Sequence, residues 1–116
     1  MKIKVLIPLF NDWQSLFKLL ENIDHQIFNL DAIISIVVVN DGSTEKVSNN
    51  FPSFSNINSI KIINLKRNVG HARSIATGLK FILENDSFDY VIPMDSDGED
   101  RPEEIKDLIK KLETES

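Results

Sequence analysis

The chain of 116 residues contains no cysteine. That absence excludes disulfide bonds, thiolate metal sites and a cysteine nucleophile, and it fits a reducing, cytoplasmic compartment. No run approaches the roughly 18 consecutive apolar residues that a membrane-spanning helix needs. Met1-Lys2-Ile3 leads straight into a strand-like segment, with none of the long apolar region or small-residue cleavage site of a targeting peptide. Positive charge is not in excess either. The formal net charge is −5, so binding along a nucleic-acid backbone is not expected. A polyanionic ligand would need a local device: a helix N-terminus, a few basic residues or a metal ion. There is no internal repeat, low-complexity segment or interdomain linker. No G-x-G-x-x-G follows the first strand-like segment, which disfavours a dinucleotide-binding domain. Gly98 is the fourth residue from Asp95 rather than the sixth, which disfavours an EF-hand loop.

What is present suits one soluble domain with one core: 41% hydrophobic and 27% charged residues. Short β-branched runs alternate with longer helical periods. Residues 2–8 read as a strand closed by Pro8. Asp12 is the expected N-cap of a helix to about Phe28, with Trp13, Leu16, Phe17, Leu20, Ile23 and Ile27 at helical spacing. Residues 33–39 are almost wholly apolar, as a strand covered on both faces should be. Asn40-Asp41-Gly42-Ser43-Thr44 is a turn cluster. Residues 45–58 read as a short helix and a loop. A third strand spans 60–65. The next helix runs to about Asn85, with Ala72, Ile75, Ala76, Leu79 and Leu83 as its expected inner stripe. A fourth strand spans 88–94. Pro102 opens a final helix that carries Ile105, Leu108, Ile109 and Leu112 on one face. This alternation predicts an α/β, Rossmann-like three-layer sandwich with a mostly parallel sheet.

In such sheets ligands bind outside the carboxyl ends of the strands. Each of those ends is polar here. They are Leu9-Phe10-Asn11-Asp12, Asn40-Asp41-Gly42-Ser43, Lys66-Arg67-Asn68-Val69-Gly70-His71 and Asp95-Ser96-Asp97-Gly98-Glu99-Asp100. Asp95 and Asp97 can share a hard divalent cation, Mg²⁺ or Mn²⁺, whose shell substrate phosphates would complete. The same acids can also serve as a turn and a helix N-terminus. Asp41 can hold an Asx turn at Gly42 and Ser43, or accept hydrogen bonds from a nucleotide base or ribose. Gly70 allows close backbone approach ahead of a helix N-terminus suited to phosphate. Arg73 and Lys66 or Arg67 can pair with phosphates, although solvated surface charge is the commoner fate of each singly. Phe10 is placed for the rim of such a site. His71 can line the site, although a surface or capping role is the commoner fate, and a structural role is expected for His25.

Taken in order, these elements resemble the family-2 glycosyltransferases of the GT-A fold. The family's Pro-x-aromatic-Asn element looks like Pro8-Leu9-Phe10-Asn11, and its Val-x-Asp-Gly-Ser element looks like Val39-Asn40-Asp41-Gly42-Ser43. The subgroup acting on polyprenyl or dolichyl phosphate is the most similar. Its pattern is matched by Asn68-Val69-Gly70, Ser74-Ile75, Gly78-Leu79, Asp95-Ser96-Asp97 and Pro102-Glu103-Glu104-Ile105. Gly98-Glu99 and Arg101 depart from the subgroup, so the sugar and acceptor stay open. The resemblance implies a nucleoside-diphosphate-sugar donor and an acceptor such as a lipid phosphate at a membrane surface. It implies that Asp41 contacts the base, that Asp97 is the main metal ligand, and that Asp95 binds metal or ribose. The expected nucleotide set is Pro8, Phe10, Asn11, Asp41, Asn68, Gly70, Arg73, Asp95 and Ser96. No counterpart of the family's acceptor-binding half, with its general base, is found in residues 1–116. The expectation is therefore a nucleotide-sugar-binding half that binds without efficient transfer.

Two other readings fit parts of the chain. Ile92-Pro93-Met94-Asp95-Ser96-Asp97-Gly98 looks similar to the nucleophile motif of haloacid-dehalogenase-like phosphatases, but it lies on the fourth strand and continues with Glu99-Asp100. A non-catalytic nucleotide-binding module would keep the same residues.

Overall fold

A computed structural model of the chain describes residues 1–45, 51–96 and 102–115. Its elements run β1 (Lys2–Leu9), α1 (Trp13–Gln26), β2 (Ile33–Asn40), β3 (Ser59–Asn64), α2 (His71–Asn85), β4 (Tyr90–Pro93) and α3 (Pro102–Glu115). The four strands form one parallel sheet in the order β3-β2-β1-β4. Alternate residues of β1 serve opposite faces. Ile3, Val5, Ile7 and Leu9 join the larger core with α1, Ile105 and Ile109 of α3. Leu6 joins a smaller core with Val37, Val39 and Ile82 of α2. Helices thus cover both faces, as the three-layer expectation required.

The chain steps from β1 to β2 to β3 in one direction, then returns across the sheet to place β4 on the far side of β1. A right-handed crossover that reverses direction must put its helix on the opposite face, which is where α2 packs. The reversal leaves a crevice above β1, the topological switch point where ligands of such sheets bind.

Proline in a central strand needs an explanation, and the register supplies one. In a parallel ladder the N–H and C=O of one residue face the same neighbour. Leu6 C=O accepts from Met94 N–H at 2.9 Å, on the β4 side, and Leu9 C=O accepts from Asp41 N–H at 2.7 Å, on the β2 side. Pro8 therefore faces the β4 side, where the ladder has already ended at Leu6–Pro93. Its missing donor costs no sheet bond, and β4 is free to diverge toward Asp95.

Most elements lie where the sequence places them. Asp12 caps α1, its carboxylate accepting from Ser15 N–H at 3.1 Å and from the Ser15 hydroxyl at 2.7 Å. These two bonds hold the Asp12 carboxyl below its ordinary pKa, the hydroxyl contributing most. Three expectations need correction. The short helix expected after residue 45 is not found over 51–58, and 46–50 lie outside the described residues. Leu108 of α3 is exposed, although Ile105 and Ile109 are buried. The inner face of α2 is Ser74, Gly78 and Ile82; of the expected stripe only Ile75 packs against that core, while Ala72, Ala76, Leu79 and Leu83 are exposed. Leu83 is 69% exposed. Close approach outweighed hydrophobicity here. A Cβ on Gly78 would stand 2.9 Å from Val39 Cγ2 and would collide with Leu6, so α2 rests on the sheet through its smallest residue. Among the described residues no helix is long and apolar enough to cross a membrane.

Candidate functional site

Three loops are tied together at the carboxyl edge of the sheet, and Asp41 is the knot. It is 4% exposed. Its Oδ1 accepts from Val69 N–H at 2.7 Å and its Oδ2 from Gly70 N–H at 3.0 Å. Its backbone C=O accepts from Asn68 Nδ2 at 3.2 Å. Its backbone N–H reaches Leu9, so the ends of β1 and β2 and the loop before α2 are held as one unit. The carboxylate therefore grips the 69–70 amides rather than closing an Asx turn at Gly42 and Ser43. Each carboxylate oxygen has a second lone pair, so gripping the loop does not exhaust its capacity to accept.

Gly42 makes the knot sterically feasible. Its φ is +69°, and a Cβ there would lie 2.9 Å from Arg67 Cα. Asn11 braces the other side. It is held at φ 63°, and its Oδ1 accepts from Thr44 N–H at 2.8 Å and Glu45 N–H at 3.0 Å. Its own N–H donates to Ser43 Oγ at 2.8 Å. Trp13 Nε1 adds a bond to the Glu45 carbonyl at 3.1 Å. The side-chain oxygen of Asn11, expected at the nucleotide, is spent on shaping the turn.

A cavity of about 270 Å³ opens above this unit, lined by Pro8, Leu9, Phe10, Asp41, Asn68, Gly70 and His71. Five of the expected nucleotide residues are in that lining: Pro8, Phe10, Asp41, Asn68 and Gly70. Phe10 is half exposed and presents an apolar surface at the rim. Gly70, at φ +97°, is the N-cap of α2 and has nothing within 4 Å of where a Cβ would stand. No side chain caps α2. Gly70 and His71, where α2 begins, line the cavity, and a helix start is a setting that favours an anion.

The fourth strand end joins through the last residue of the 66–71 cluster. His71, the first residue of α2, places Nε2 3.3 Å from Asp95 Oδ1. Asp95 is thus linked to the cavity that Asp41 lines, as convergence at one edge requires. The sequence allows His71 at the site but favours a surface or capping role, because a lone histidine at a helix start gives no sign of what the next strand end brings to it. Arg73 is exposed on α2 and does not line the cavity; Ser96 follows Asp95 at the strand end. Asp97 lies outside the described residues. Among the described residues no three His, Cys, Asp or Glu side chains gather as a metal cluster.

Among the described residues, larger clefts also lie elsewhere. One, of about 410 Å³, is bordered by Lys2, Lys4, Asn85 and Asp86 at the opposite edge of the sheet. The other, of about 460 Å³, is an apolar groove between β3 and Phe51 and Phe54. Volume does not decide among the three. The smaller one joins the strand ends, the open helix terminus and the buried carboxylate.

Comparison with known proteins gives this geometry a class. Residues 4–116 match the family model described as glycosyl transferase family 2. The chain belongs to that family, and its fold is the Rossmann-like α/β arrangement of GT-A glycosyltransferases. It is 32% identical over 114 residues to an undecaprenyl-phosphate 4-deoxy-4-formamido-L-arabinose transferase of Proteus mirabilis, a match covering 97% of this chain and 34% of the relative. It is 31% identical over 111 residues to an uncharacterized glycosyltransferase of Synechocystis sp., covering 95% of this chain and 34% of that protein. An uncharacterized protein of Methanocaldococcus jannaschii is 35% identical over 111 residues, covering 93% and 45%. Among solved structures, S. aureus TarS in complex with UDP superposes with a TM-score of 0.69 at 26% identity, covering 98% of this chain and 32% of that one. The chain therefore spans between a third and a half of the length of these curated relatives. The family membership decides against the phosphatase reading of Asp95-Ser96-Asp97-Gly98.

Proposed function

We propose that these residues form the donor-binding part of a glycosyltransferase that takes a nucleoside-diphosphate sugar. The observation that carries this reading is the single edge at which Asp41 and the start of α2 line one cavity and Asp95 joins it through His71. The nucleoside sits against Pro8 and Phe10, with the base donating to the remaining lone pairs of Asp41. The diphosphate lies toward the start of α2 at His71, since the Gly70 amide is already held by Asp41. The UDP complex of TarS supports a uridine nucleotide as the first to test.

The donor set at the phosphate end fits a hard or borderline divalent ion, because Asp95 supplies a carboxylate half open to solvent at a strand terminus. Asp95 and Asp97 would hold Mg²⁺ or Mn²⁺. When bound, such an ion would offset the negative charge that grows on the leaving diphosphate. In the transfer itself an acceptor oxygen forms a bond to the anomeric carbon from the face opposite the diphosphate. The bond from that carbon to the diphosphate oxygen breaks, and the nucleoside diphosphate leaves with the electron pair, so the configuration inverts. The arabinose-transferase relatives support a polyprenyl phosphate as acceptor, at the cytoplasmic face of a membrane. Such an acceptor is already anionic and asks little of a general base. By this reading the 116 residues bind donor and transfer sugar poorly by themselves.

A calorimetric series with UDP, GDP, CDP and dTDP, each with and without Mn²⁺, tests the proposal. One diphosphate is expected to bind well above the others, more tightly with the ion, and Asp97→Ala removes only the ion-dependent gain. Absence of binding by all four would end the reading.

A further inference from the structure

We propose that His71 is a direct ligand of the divalent ion, sharing it with Asp95. The inference rests on the donor-site reading above and adds a nitrogen ligand to it. His71 is one of the cavity-lining residues and reaches the strand end that carries the acids. The Nε2–Oδ1 separation of 3.3 Å is long for a charge-assisted hydrogen bond, which usually spans about 2.7–2.9 Å. It matches the distance between two neighbouring donors on one ion. With bonds of about 2.1 Å, adjacent ligands stand roughly 3.0 Å apart at a right angle and 3.4 Å apart at a tetrahedral angle. Both side chains are open enough for an ion to enter with its water, at 62% and 40% exposure. Of the neighbouring polar side chains, the Asn11 oxygen is taken up by the amides of Thr44 and Glu45, and Asp41 holds those of Val69 and Gly70 and keeps only the lone pairs assigned above to the nucleoside. The other histidine, His25, lies in the last turn of α1.

A nitrogen ligand has a signature that oxygen ligands lack. Imidazole favours first-row transition ions, whereas Mg²⁺ prefers an all-oxygen shell. The site should therefore discriminate between Mn²⁺ and Mg²⁺, and the discrimination should reside in His71. A residue that merely shapes the loop would affect both ions alike.

The test is calorimetric titration of the full chain, saturated with UDP, using Mn²⁺ and Mg²⁺ separately. Wild type should bind Mn²⁺ about tenfold more tightly than Mg²⁺. His71→Gln, which offers an oxygen in place of the nitrogen, and His71→Ala should bring that ratio close to one, chiefly by weakening Mn²⁺. His25→Gln should leave it unchanged. A lowered folding stability of one variant does not blur the result, because the ratio compares two ions on the same protein. An unchanged ratio in His71→Gln, or equal losses for both ions, overturns the proposal while UDP binding stands. If UDP does not bind wild type at all, the donor-site reading fails and this inference falls with it.

Discussion

Replacing Asp41 by alanine removes the acceptor of two backbone N–H groups in one step. The bonds to Val69 and Gly70 measure 2.7 and 3.0 Å, and the carboxylate is 4% exposed. A hydrogen bond to a charged partner contributes about 1.5–3 kcal/mol, which sets a loss of roughly 3–6 kcal/mol for the pair. Water entering the adjoining cavity can satisfy part of what the carboxylate leaves, so the lower end, about 3 kcal/mol, is the expected value. Against a total stability of about 5–15 kcal/mol that is a large fraction. Urea unfolding followed by circular dichroism measures it. With a slope of about 1.5 kcal/mol per molar urea, the midpoint should fall by roughly 2 M at unchanged slope. Asp41→Asn keeps one acceptor oxygen but turns an NH₂ toward the second amide, so it should lose at least half as much. UDP affinity should fall in both variants even without metal. A midpoint for Asp41→Ala within about 0.3 M of wild type would refute the claim that this carboxylate holds the 68–70 loop.

Two further outcomes follow from the packing and the cap. Gly78→Leu should cost at least about 1–3 kcal/mol by overpacking against Leu6 and Val39, while Leu83→Lys on the exposed face stays within about 0.5 kcal/mol of wild type; thermal melts compare them. Asp12→Ala should cost about 1 kcal/mol through loss of the α1 N-cap. Because the folded-state pKa of Asp12 is depressed, its contribution is complete above the unfolded value of about 3.9 and disappears as pH falls through the folded value. The gap between wild type and Asp12→Ala should therefore narrow in acid below about pH 4, as read by urea midpoints at several pH values.

The periodicity of α1 and the β-branched runs of β1 and β2 were legible because each packs by hydrophobic burial, which a sequence displays directly. The α2 face was not, because it is set by how near the helix axis comes to the sheet. The same rule that ranks leucine above glycine ranks the wrong side of that helix inward. At the site, Asp41 and Gly70 were legible as a strand end and a helix start. The bonds of Asp41 to the 69–70 amides were hidden, since they join residues 28 and 29 apart in sequence. Asn11 is expected at the nucleotide through the resemblance of Pro8-Leu9-Phe10-Asn11 to the family's Pro-x-aromatic-Asn element. Its left-handed backbone instead turns the side chain toward Thr44 and Glu45. The approach of His71 to Asp95 was hidden because it depends on β4 lying beside β1.

The account depends most on one edge of the sheet gathering the ligand. Amide chemical shifts of isotopically labelled protein, recorded during titration with UDP and diamagnetic Mg²⁺, test that directly. The largest changes should fall on Phe10, Asp41, Val69, Gly70, His71 and Asp95 together, with Lys4 and Asn85 at the opposite edge unmoved. Changes centred on Lys4 and Asn85, or shifts at Asp95 with none at Asp41 and Gly70, would contradict it.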